Sequence, residues 1–395
     1  MEEIEPEIEK EENEEEETEE VIIPPELYSS PYSYIRNHYE EMYPCLGNKL
    51  WSLLSLVIVS LVMPKIPRGE KLIKNKINVC ILGQPGIGKT SMGEEFEKVA
   101  YNPLSTERIT PARLYFEIMK RAKEEDIPKL SLIVSDVAVI FQDEIMIKMI
   151  ENLLGEEGVI SKANMHNKKD DPRKKVDLVA YLSGTPDLMY NQRIRHGLIF
   201  RTLTLILMHT KKQHEKILDY ISDNMGQNYK NGDSKPIKAF FNEIWDIQSG
   251  NHPKIKPVVS YDISEEIKQD IKKFIKPLVA NAFDKYSIPF ARTLEETFRL
   301  MCASAMLNIF NRKVTDGKIK IEKEDADLAK KIIQRDIVHK VRILQSISQI
   351  DYWGINNMAD LKEWNEAMNR KGKNISEETG FVMKSIIENK NKLKA

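Results

Sequence analysis

The sequence predicts an α/β fold in which a parallel-sheet core is followed by a helical lid. Short, apolar, β-branched segments alternate with amphipathic helical segments over the first half of the chain. A glycine-rich loop joins the first of these apolar segments to a helix. Beyond about residue 210 the hydrophobic periodicity is helical only.

The chain has 395 residues, 41% hydrophobic and 30% charged, which suits one large or two ordinary globular domains and excludes collagen-like and fully disordered classes. Its cysteines, Cys45, Cys80 and Cys302, are isolated, with no CxxC pair. This pattern supports neither a disulfide framework nor a zinc finger. We therefore expect a reduced, cytoplasmic location.

The N-terminal segment is strongly acidic. Residues 1–20 contain 13 Glu and one Lys, a local charge of −12 against −2 for the whole chain, so the remainder carries +10. Such a segment cannot bury enough apolar surface to order itself, and we predict a disordered acidic tail over 1–25. The basic remainder makes a polyanionic partner plausible, and the tail could instead compete for a basic groove.

The elements follow in order. The uncharged run 50–64 has 15 residues, fewer than the about 20 of a membrane span, and predicts a buried helix, with an interfacial segment as the alternative. Strands are predicted at 77–82, 132–135, 137–141, 179–182 and 203–208, with helices at 91–99 and 145–154. The later helices are predicted at 211–224, 239–246, 264–283, 293–310 and 323–342. We divide the chain into a core at 26–210, a lid at 211–342, and a helical or winged-helix-like extension at 343–395.

The strongest motif is a complete GxxxxGK[ST] phosphate loop between a strand and a helix. Glycines let the backbone N–H groups surround phosphates, Lys89 reaches the β- and γ-phosphates, and Thr90 binds Mg²⁺. The predicted cofactors are ATP and Mg²⁺. The predicted nucleotide-binding residues are Gly83, Gln84, Pro85, Gly86, Ile87, Gly88, Lys89, Thr90 and Ser91.

Two further segments end in candidate catalytic groups. The apolar run 137–141 precedes Asp143 and Glu144, which predicts a metal-ordering carboxylate and a water-activating carboxylate at the sheet edge. The run 178–182 precedes Ser183 and Thr185, and a hydroxyl there could reach the γ-phosphate or the attacking water. We select Thr185, with Ser183 as the second choice; a simple strand cap is the alternative.

A group of arginines follows. Arg201 lies just before the strand predicted at 203–208 and is the best candidate for a guanidinium that stabilises a developing phosphoryl charge, often from a neighbouring subunit. Arg193 and Arg195 are weaker candidates, because a solvated surface explains them equally well.

From about residue 34 to 333, the order of motifs resembles the AAA+ ATPase domain of MCM replicative helicases. Residues 44–47 (Pro-Cys-Leu-Gly) and 68–69 (Arg-Gly) are similar to that family's approach to its phosphate loop. Thr185 and Pro186 stand where the family has Asn-Pro as sensor 1, and Arg201 where it has an arginine finger. Residues 291–295 (Ala-Arg-Thr-Leu-Glu) resemble sensor 2, which implies that Arg292 contacts a neighbour's γ-phosphate.

The resemblance also implies a DNA-binding hairpin. The family inserts a β-hairpin whose lysine tip projects into a central channel, and residues 160–163 (Ile-Ser-Lys-Ala) are similar to it. Lys162, with Lys168 and Lys169, would then grip single- or double-stranded DNA through phosphates, with strong salt dependence. A solvated loop that is basic by chance is the alternative.

The resemblance implies a homo-oligomeric, hexameric ATPase that acts on DNA as a helicase or translocase in replication, without a membrane. The chain departs from the family in having no counterpart of the N-terminal zinc and OB-fold domain, so a protein loader is expected. The resemblance therefore implies ATP hydrolysis more firmly than DNA unwinding. Two alternatives stay open. One is a remodeller that pulls polypeptide, and the other is an ATP-gated switch that binds a replication or transcription partner.

Overall fold

A computed structural model describes residues 21–68, 71–106, 110–122, 127–140, 143–155, 158–160, 174–225, 233–286 and 290–389. The acidic stretch 1–20 lies outside the described residues, as do Lys162, Lys168 and Lys169. The prediction of a disordered tail over 1–25 therefore stays untested for residues 1–20, whereas Pro25 is already the first residue of a helix.

The strands in chain order are β1 (Ile66–Arg68), β2 (Lys71–Ile73), β3 (Val79–Gly83), β4 (Pro103–Thr106), β5 (Lys129–Val134), β6 (Val159–Ile160), β7 (Lys174–Lys175), β8 (Asp177–Gly184), β9 (Leu203–Leu207), β10 (Ser260–Asp262), β11 (Val314–Thr315) and β12 (Lys318–Lys320). The helices are α1 (Pro25–Ser29), α2 (Pro31–Met42), α3 (Gly47–Ser60), α4 (Lys89–Val99), α5 (Pro111–Arg121), α6 (Val137–Ile140), α7 (Glu144–Leu154), α8 (Gln192–Ile199), α9 (Lys211–Asn224), α10 (Lys235–Ser249), α11 (Glu265–Tyr286), α12 (Phe290–Leu307), α13 (Lys323–Trp353), α14 (Met358–Arg370) and α15 (Glu377–Asn389). Short 3₁₀ helices cover Pro186–Tyr190 and Ile309–Asn311.

Five strands form one sheet in the order β4-β5-β8-β3-β9. Every pair in it is parallel. The predicted α/β fold with a parallel sheet is therefore confirmed, and β3, β5, β8 and β9 overlap the strands predicted at 77–82, 132–135, 179–182 and 203–208. β4 was not predicted; it lies at the sheet edge, where a strand that begins with Pro103 loses no ladder hydrogen bond.

The strand predicted at 137–141 is wrong. β5 begins at Lys129 and pairs with β8 through Val134, whereas residues 137–140 form the short helix α6. The chain turns at Asp136, whose carboxylate accepts a hydrogen bond from the Ala138 N–H at 2.9 Å. This side-chain bond starts a helical turn, which the apolar composition of 137–140 did not reveal.

Helices cover both faces of the sheet, and each face has its own apolar core. One core unites α2, α3, α4, α10 and α12 with β3 and β9; in it Trp51 stacks on Tyr39 with ring centroids 3.6 Å apart. The other unites α5, α7, α8, α14 and α15 with the opposite face. The buried helix predicted within 50–64 is confirmed as α3. Within the described ranges, no helix has the length and apolarity needed to cross a bilayer.

Helix α13 closes the free edge of β9 with its side chains. The Thr204 N–H donates to the Asp336 carboxylate at 2.6 Å, and the Ile206 N–H donates to His339 Nδ1 at 3.1 Å. Lys340 in turn pairs with Asp336 at 2.7 Å, and all these side chains are buried. Edge groups that would otherwise be orphaned are thereby satisfied, which fixes α13 to the sheet.

The same helix crosses the boundary that we predicted between a lid and an extension. α13 runs without interruption from Lys323 to Trp353, so 342/343 is not a structural division. The described residues beyond it form α14 and α15 and contain no strand. α15 returns to the sheet, where the Ser385 hydroxyl donates to the buried Asp187 at 3.0 Å.

Candidate phosphate-binding site

The glycine-rich loop lies between the carboxyl end of β3 and the first turn of α4. Gly86 and Gly88 have φ values of 78° and 88°, in the left-handed region that favours glycine. Gln84, Pro85 and Gly86 are exposed, and so is Thr90 in the first turn of α4. The loop conformation and the helix N-terminus together give the arrangement that binds phosphate groups.

Lys89 is folded back over this loop. Its ammonium group donates to the carbonyls of Gly83 at 2.8 Å and Gln84 at 2.7 Å. Burial lowers the pKa of Lys89 to about 8, against the opposing effect of Asp136 and Asp187. A cation in this environment gains from an anionic ligand that replaces water around it.

Helix α4 is tied to the centre of the sheet directly below the loop. The buried Tyr181 hydroxyl on β8 donates to the Lys89 carbonyl at 2.6 Å. The buried Glu95 accepts hydrogen bonds from the hydroxyls of Tyr43 and Ser234 at 3.2 Å each. These contacts hold the first helical turn at a fixed height over the strands.

Asp136 was not predicted from the sequence as a site residue. Val134 is in register with Leu182, and Leu82 with Gly184, so Asp136 follows its strand at the same sheet edge as the loop. Its charge opposes the lowering of the Lys89 pKa by burial. The signal was the Ser-Asp pair at 135–136 directly after the apolar run 132–134.

Asp143 and Glu144 come after the short helix α6 in the chain. Asp143 caps α7, accepting hydrogen bonds from the N–H groups of Ile145 at 2.7 Å and Met146 at 3.4 Å. Glu144 is exposed and forms an ion pair with the exposed Arg193. Neither carboxylate directly follows a strand of the sheet, contrary to our expectation, because β5 ends at Val134.

The two hydroxyl candidates on β8 differ in what they contact. Ser183 is buried and donates to the Ser135 carbonyl at 2.6 Å, so its hydroxyl is used to join β8 and β5. Thr185 directly follows β8, half-buried, at the edge beside the loop. The structure therefore favours Thr185 as the hydroxyl nearer the candidate site.

Two other residues that the sequence analysis passed over border the loop. Leu46, in the turn between α2 and α3, lies so close that a Cβ on Gly88 would come within 2.8 Å of Leu46 Cδ1. His209 follows β9; burial lowers its pKa, while a hydrogen bond to the Ile87 backbone opposes that effect. His209 therefore borders the loop on the side of β9, and no pattern in the sequence marks it.

Arg201 and Arg292 lie at the other end of the strands, away from the loop. Arg201 precedes β9, so the strand separates it from the loop by about 15 Å. It lies 3.8 Å from Glu151, and Arg292 lies 3.5 Å from Glu296. Both arginines line one small cavity that also contains Lys76.

Lys76 is one of five Lys and Arg side chains that line this cavity, and it is buried. It donates to the Val176 carbonyl at 3.0 Å, and burial, followed by the nearby Lys74, lowers its pKa to about 7. A group of cations at one place is stabilised by any anion that reaches it. Neither Arg201 nor Arg292 can serve the loop of its own chain from there.

The described ends of the lysine-rich insertion pair with each other. β6 and β7 are antiparallel, with Ile160 opposite Lys174 and Val159 opposite Lys175. This is the arrangement of the two arms of a hairpin. The segment between them, with Lys162, Lys168 and Lys169, lies outside the described residues.

The oxygen donors beside the loop are of the kind that Mg²⁺ prefers. Within the described ranges, no three His, Cys, Asp or Glu side chains converge on one point. The Thr90 hydroxyl and the Asp136 carboxylate at the same edge are hard oxygen donors, which suit a magnesium ion that also takes ligands from phosphates and water. The residues present therefore fit a Mg-nucleotide rather than a metal held by protein alone.

Comparison with the models of known protein families finds no match, and a search of curated proteins finds none either.

Proposed function

We propose that this protein is a Mg²⁺-dependent ATPase of the MCM-like AAA+ type, working as a cytoplasmic homo-hexamer that moves along DNA. The observation that carries the proposal is a complete phosphate loop at the carboxyl end of β3, with β8 and β9 as its neighbours. In open parallel sheets, ligands bind where connections leave a central strand in opposite directions. Here the chain passes from β3 to β4 on one side and from β8 to β9 on the other.

Each residue at this edge has a proposed task. The loop N–H groups and Lys89 would hold the phosphates, and Thr90 with Asp136 would hold Mg²⁺, which supplies charge neutralisation when bound. Thr185 would orient the attacking water. Glu144 would accept its proton, which requires the carboxylate to leave its ion pair with Arg193. Asp143 remains the alternative metal-ordering carboxylate.

The position of the arginines supports an oligomer. Arg201 and Arg292 lie together at the edge opposite the loop, where they can act only on a nucleotide bound by another copy. A guanidinium supplied in trans stabilises charge on the transferring phosphoryl group. We therefore place the active sites between subunits.

The proposed DNA contact is the hairpin that begins with β6 and ends with β7. Lysines at its tip would bind phosphates without reading bases, which makes a strong salt dependence the expected signature. A loader protein would bring the ring to DNA.

The first experiment measures ATP hydrolysis with and without single-stranded DNA at two salt concentrations. We expect hydrolysis that Lys89→Ala abolishes, and a stimulation by DNA that fades with salt. No hydrolysis by the wild-type protein at any concentration would refute the ATPase. An equal rate of hydrolysis with and without DNA would refute the proposed movement along DNA but not the proposed ATPase activity.

A mixing experiment tests the shared sites. Lys89→Ala and Arg201→Ala should each be inactive alone. Mixed in equal amounts, they should regain up to about a quarter of wild-type activity, since some interfaces then pair an intact Lys89 with an intact Arg201. A mixture as inactive as its components, with oligomers verified by light scattering, would refute trans action.

A further inference from the structure

The C-terminal helices form a cleft that the proposed ATPase does not use. It has a volume of 1020 Å³ and lies between α11, α13, α14 and the segment that leads into α15. Tyr352 and Trp353, at the end of α13, are 79% and 47% exposed on its rim. Neighbouring exposed aromatic side chains of this size are typical of a binding surface.

The chemistry of the cleft favours an anion with planar groups. None of the described residues that line it carries a carboxylate, whereas Arg342 and Lys373 are cationic. Arg342 is already paired with Glu378 at 2.6 Å, so Lys373 supplies the net charge within the cleft. Lys371 adds a second cation at the rim, 5.7 Å from the centre of the Trp353 ring.

The Trp353 ring is held in place by a hydrogen bond. Its indole donates to Gln349 at 3.0 Å, and the Tyr352 and Trp353 rings meet nearly at right angles, at 84°. Two rings with different orientations can each stack a planar group. Aromatic rings beside lysines are the combination by which proteins bind single-stranded nucleic acid.

Polar and aromatic side chains also line the inner part of the cleft. Trp364 is only 8% exposed, so its ring forms part of the cleft wall. The amides of Gln345 and Asn374 on the same wall can donate to and accept from base edges.

We propose that this cleft binds a single-stranded oligonucleotide: Tyr352 and Trp353 stack bases, Lys371 and Lys373 contact phosphates, and the amides of Gln345 and Asn374 contact base edges. The site is separate from the phosphate loop and needs no ATP. It therefore does not depend on the proposed hydrolysis.

The test is fluorescence anisotropy with labelled 20-nucleotide dT and rU strands, without nucleotide. All variants are built on a protein with Lys162, Lys168 and Lys169 replaced by alanine, which removes the hairpin contact. The Tyr352→Ala, Trp353→Ala double variant should bind at least about tenfold more weakly, with an unchanged salt slope. The Lys371→Ala, Lys373→Ala variant should lower the salt slope by about 1.4, since each single-strand phosphate contact contributes about 0.7.

Matched controls separate the cleft from general surface effects. Phe116→Ala removes an aromatic ring that is 64% exposed on α5, and Lys320→Ala removes an exposed lysine elsewhere; both should bind like the parent. Trp364→Phe removes a buried donor that a ligand in the cleft does not reach, so it should bind like the parent, with a melting temperature that is unchanged or higher.

Several results would overturn the proposal. One is a parent protein that binds neither strand once the hairpin lysines are gone. Another is equal affinity in the parent and the aromatic double variant. A third is quenching of Trp353 fluorescence by an acidic peptide of residues 1–20 but by neither oligonucleotide, which would assign the cleft to a protein segment. A difference between dT and rU would identify DNA or RNA as the natural strand.

Discussion

Replacing His339 by asparagine should remove an acid-sensitive part of the stability of this protein. His339 Nδ1 accepts the Ile206 N–H from the free edge of β9. Burial lowers the pKa of His339 to about 4 and outweighs the opposing hydrogen bond to the Thr204 backbone. An asparagine Oδ1 can accept the same bond but does not titrate.

The direction of this pH effect on stability follows from the pKa of His339 in the folded and in the unfolded chain. An unfolded chain binds a proton at histidine near pH 6.5, whereas folded His339 does so only near pH 4. Between these values the unfolded state holds more protons, so the contribution of His339 is complete above about pH 6.5 and is lost as the pH falls towards 4. Between pH 7.5 and 4.5 the loss amounts to about 2.5 kcal/mol.

Asp336 contributes with the opposite sign. Burial raises its pKa to about 6, so its contribution is complete below about pH 3.8 and is lost as the pH rises towards 6. The wild-type protein therefore shows only the net of two opposing effects. Because Asp336 is present in both proteins, the difference between wild type and His339→Asn isolates the histidine.

The assay is urea unfolding followed by tryptophan fluorescence at pH 7.5 and pH 4.5. The free energy of unfolding of the wild type relative to His339→Asn should fall by about 2.5 kcal/mol at the lower pH. His339→Leu serves as a control, because it leaves the Ile206 N–H without an acceptor and should cost about 1–3 kcal/mol at pH 7.5. An equal difference between wild type and His339→Asn at both pH values would refute the reasoning.

Three further predictions concern the phosphate loop. Asp136→Asn should weaken Mg²⁺-dependent nucleotide binding at least about tenfold, whereas Asp143→Asn keeps an N-cap oxygen on α7 and should leave that binding unchanged and cost less than about 0.5 kcal/mol of stability. Titration with a fluorescent ATP analogue decides, and the reverse ranking would restore Asp143 as the metal ligand. Gly88→Ala should cost about 1–2 kcal/mol in thermal unfolding and weaken the same binding, with Gly380→Ala in α15 as the neutral control. Tyr181→Phe should lower stability by about 1 kcal/mol, and unchanged urea midpoints would contradict its role in anchoring α4.

The phosphate loop and the parallel sheet could be predicted from sequence because their signals are local. A loop that needs left-handed residues shows its glycines at 86 and 88, and a strand buried on both faces shows an unbroken apolar run, as in β3. The helices α9 to α13 were predicted for the same reason, since each carries its own periodicity, whereas no bounds were predicted for α14 and α15.

The failures came where two local solutions competed. The runs 132–134 and 137–140 are both apolar, and only pairing with β8 decided that the first is a strand and the second a helix. That choice places Asp136, rather than Asp143, two residues after the end of the strand. The boundary at 342/343 failed because helical periodicity continues through it without any local signal.

The sequence by itself determined the chemistry of the loop at 83–90 and the α/β class, since both depend on the conformations that neighbouring residues allow. Only the tertiary structure decided which groups meet across long separations. It brought Asp336 and His339 to the edge of β9, placed Arg201 and Arg292 on one cavity, and assembled the aromatic cleft around Trp364. These contacts arise from the packing of distant helices on one sheet, and no periodicity along the chain records them.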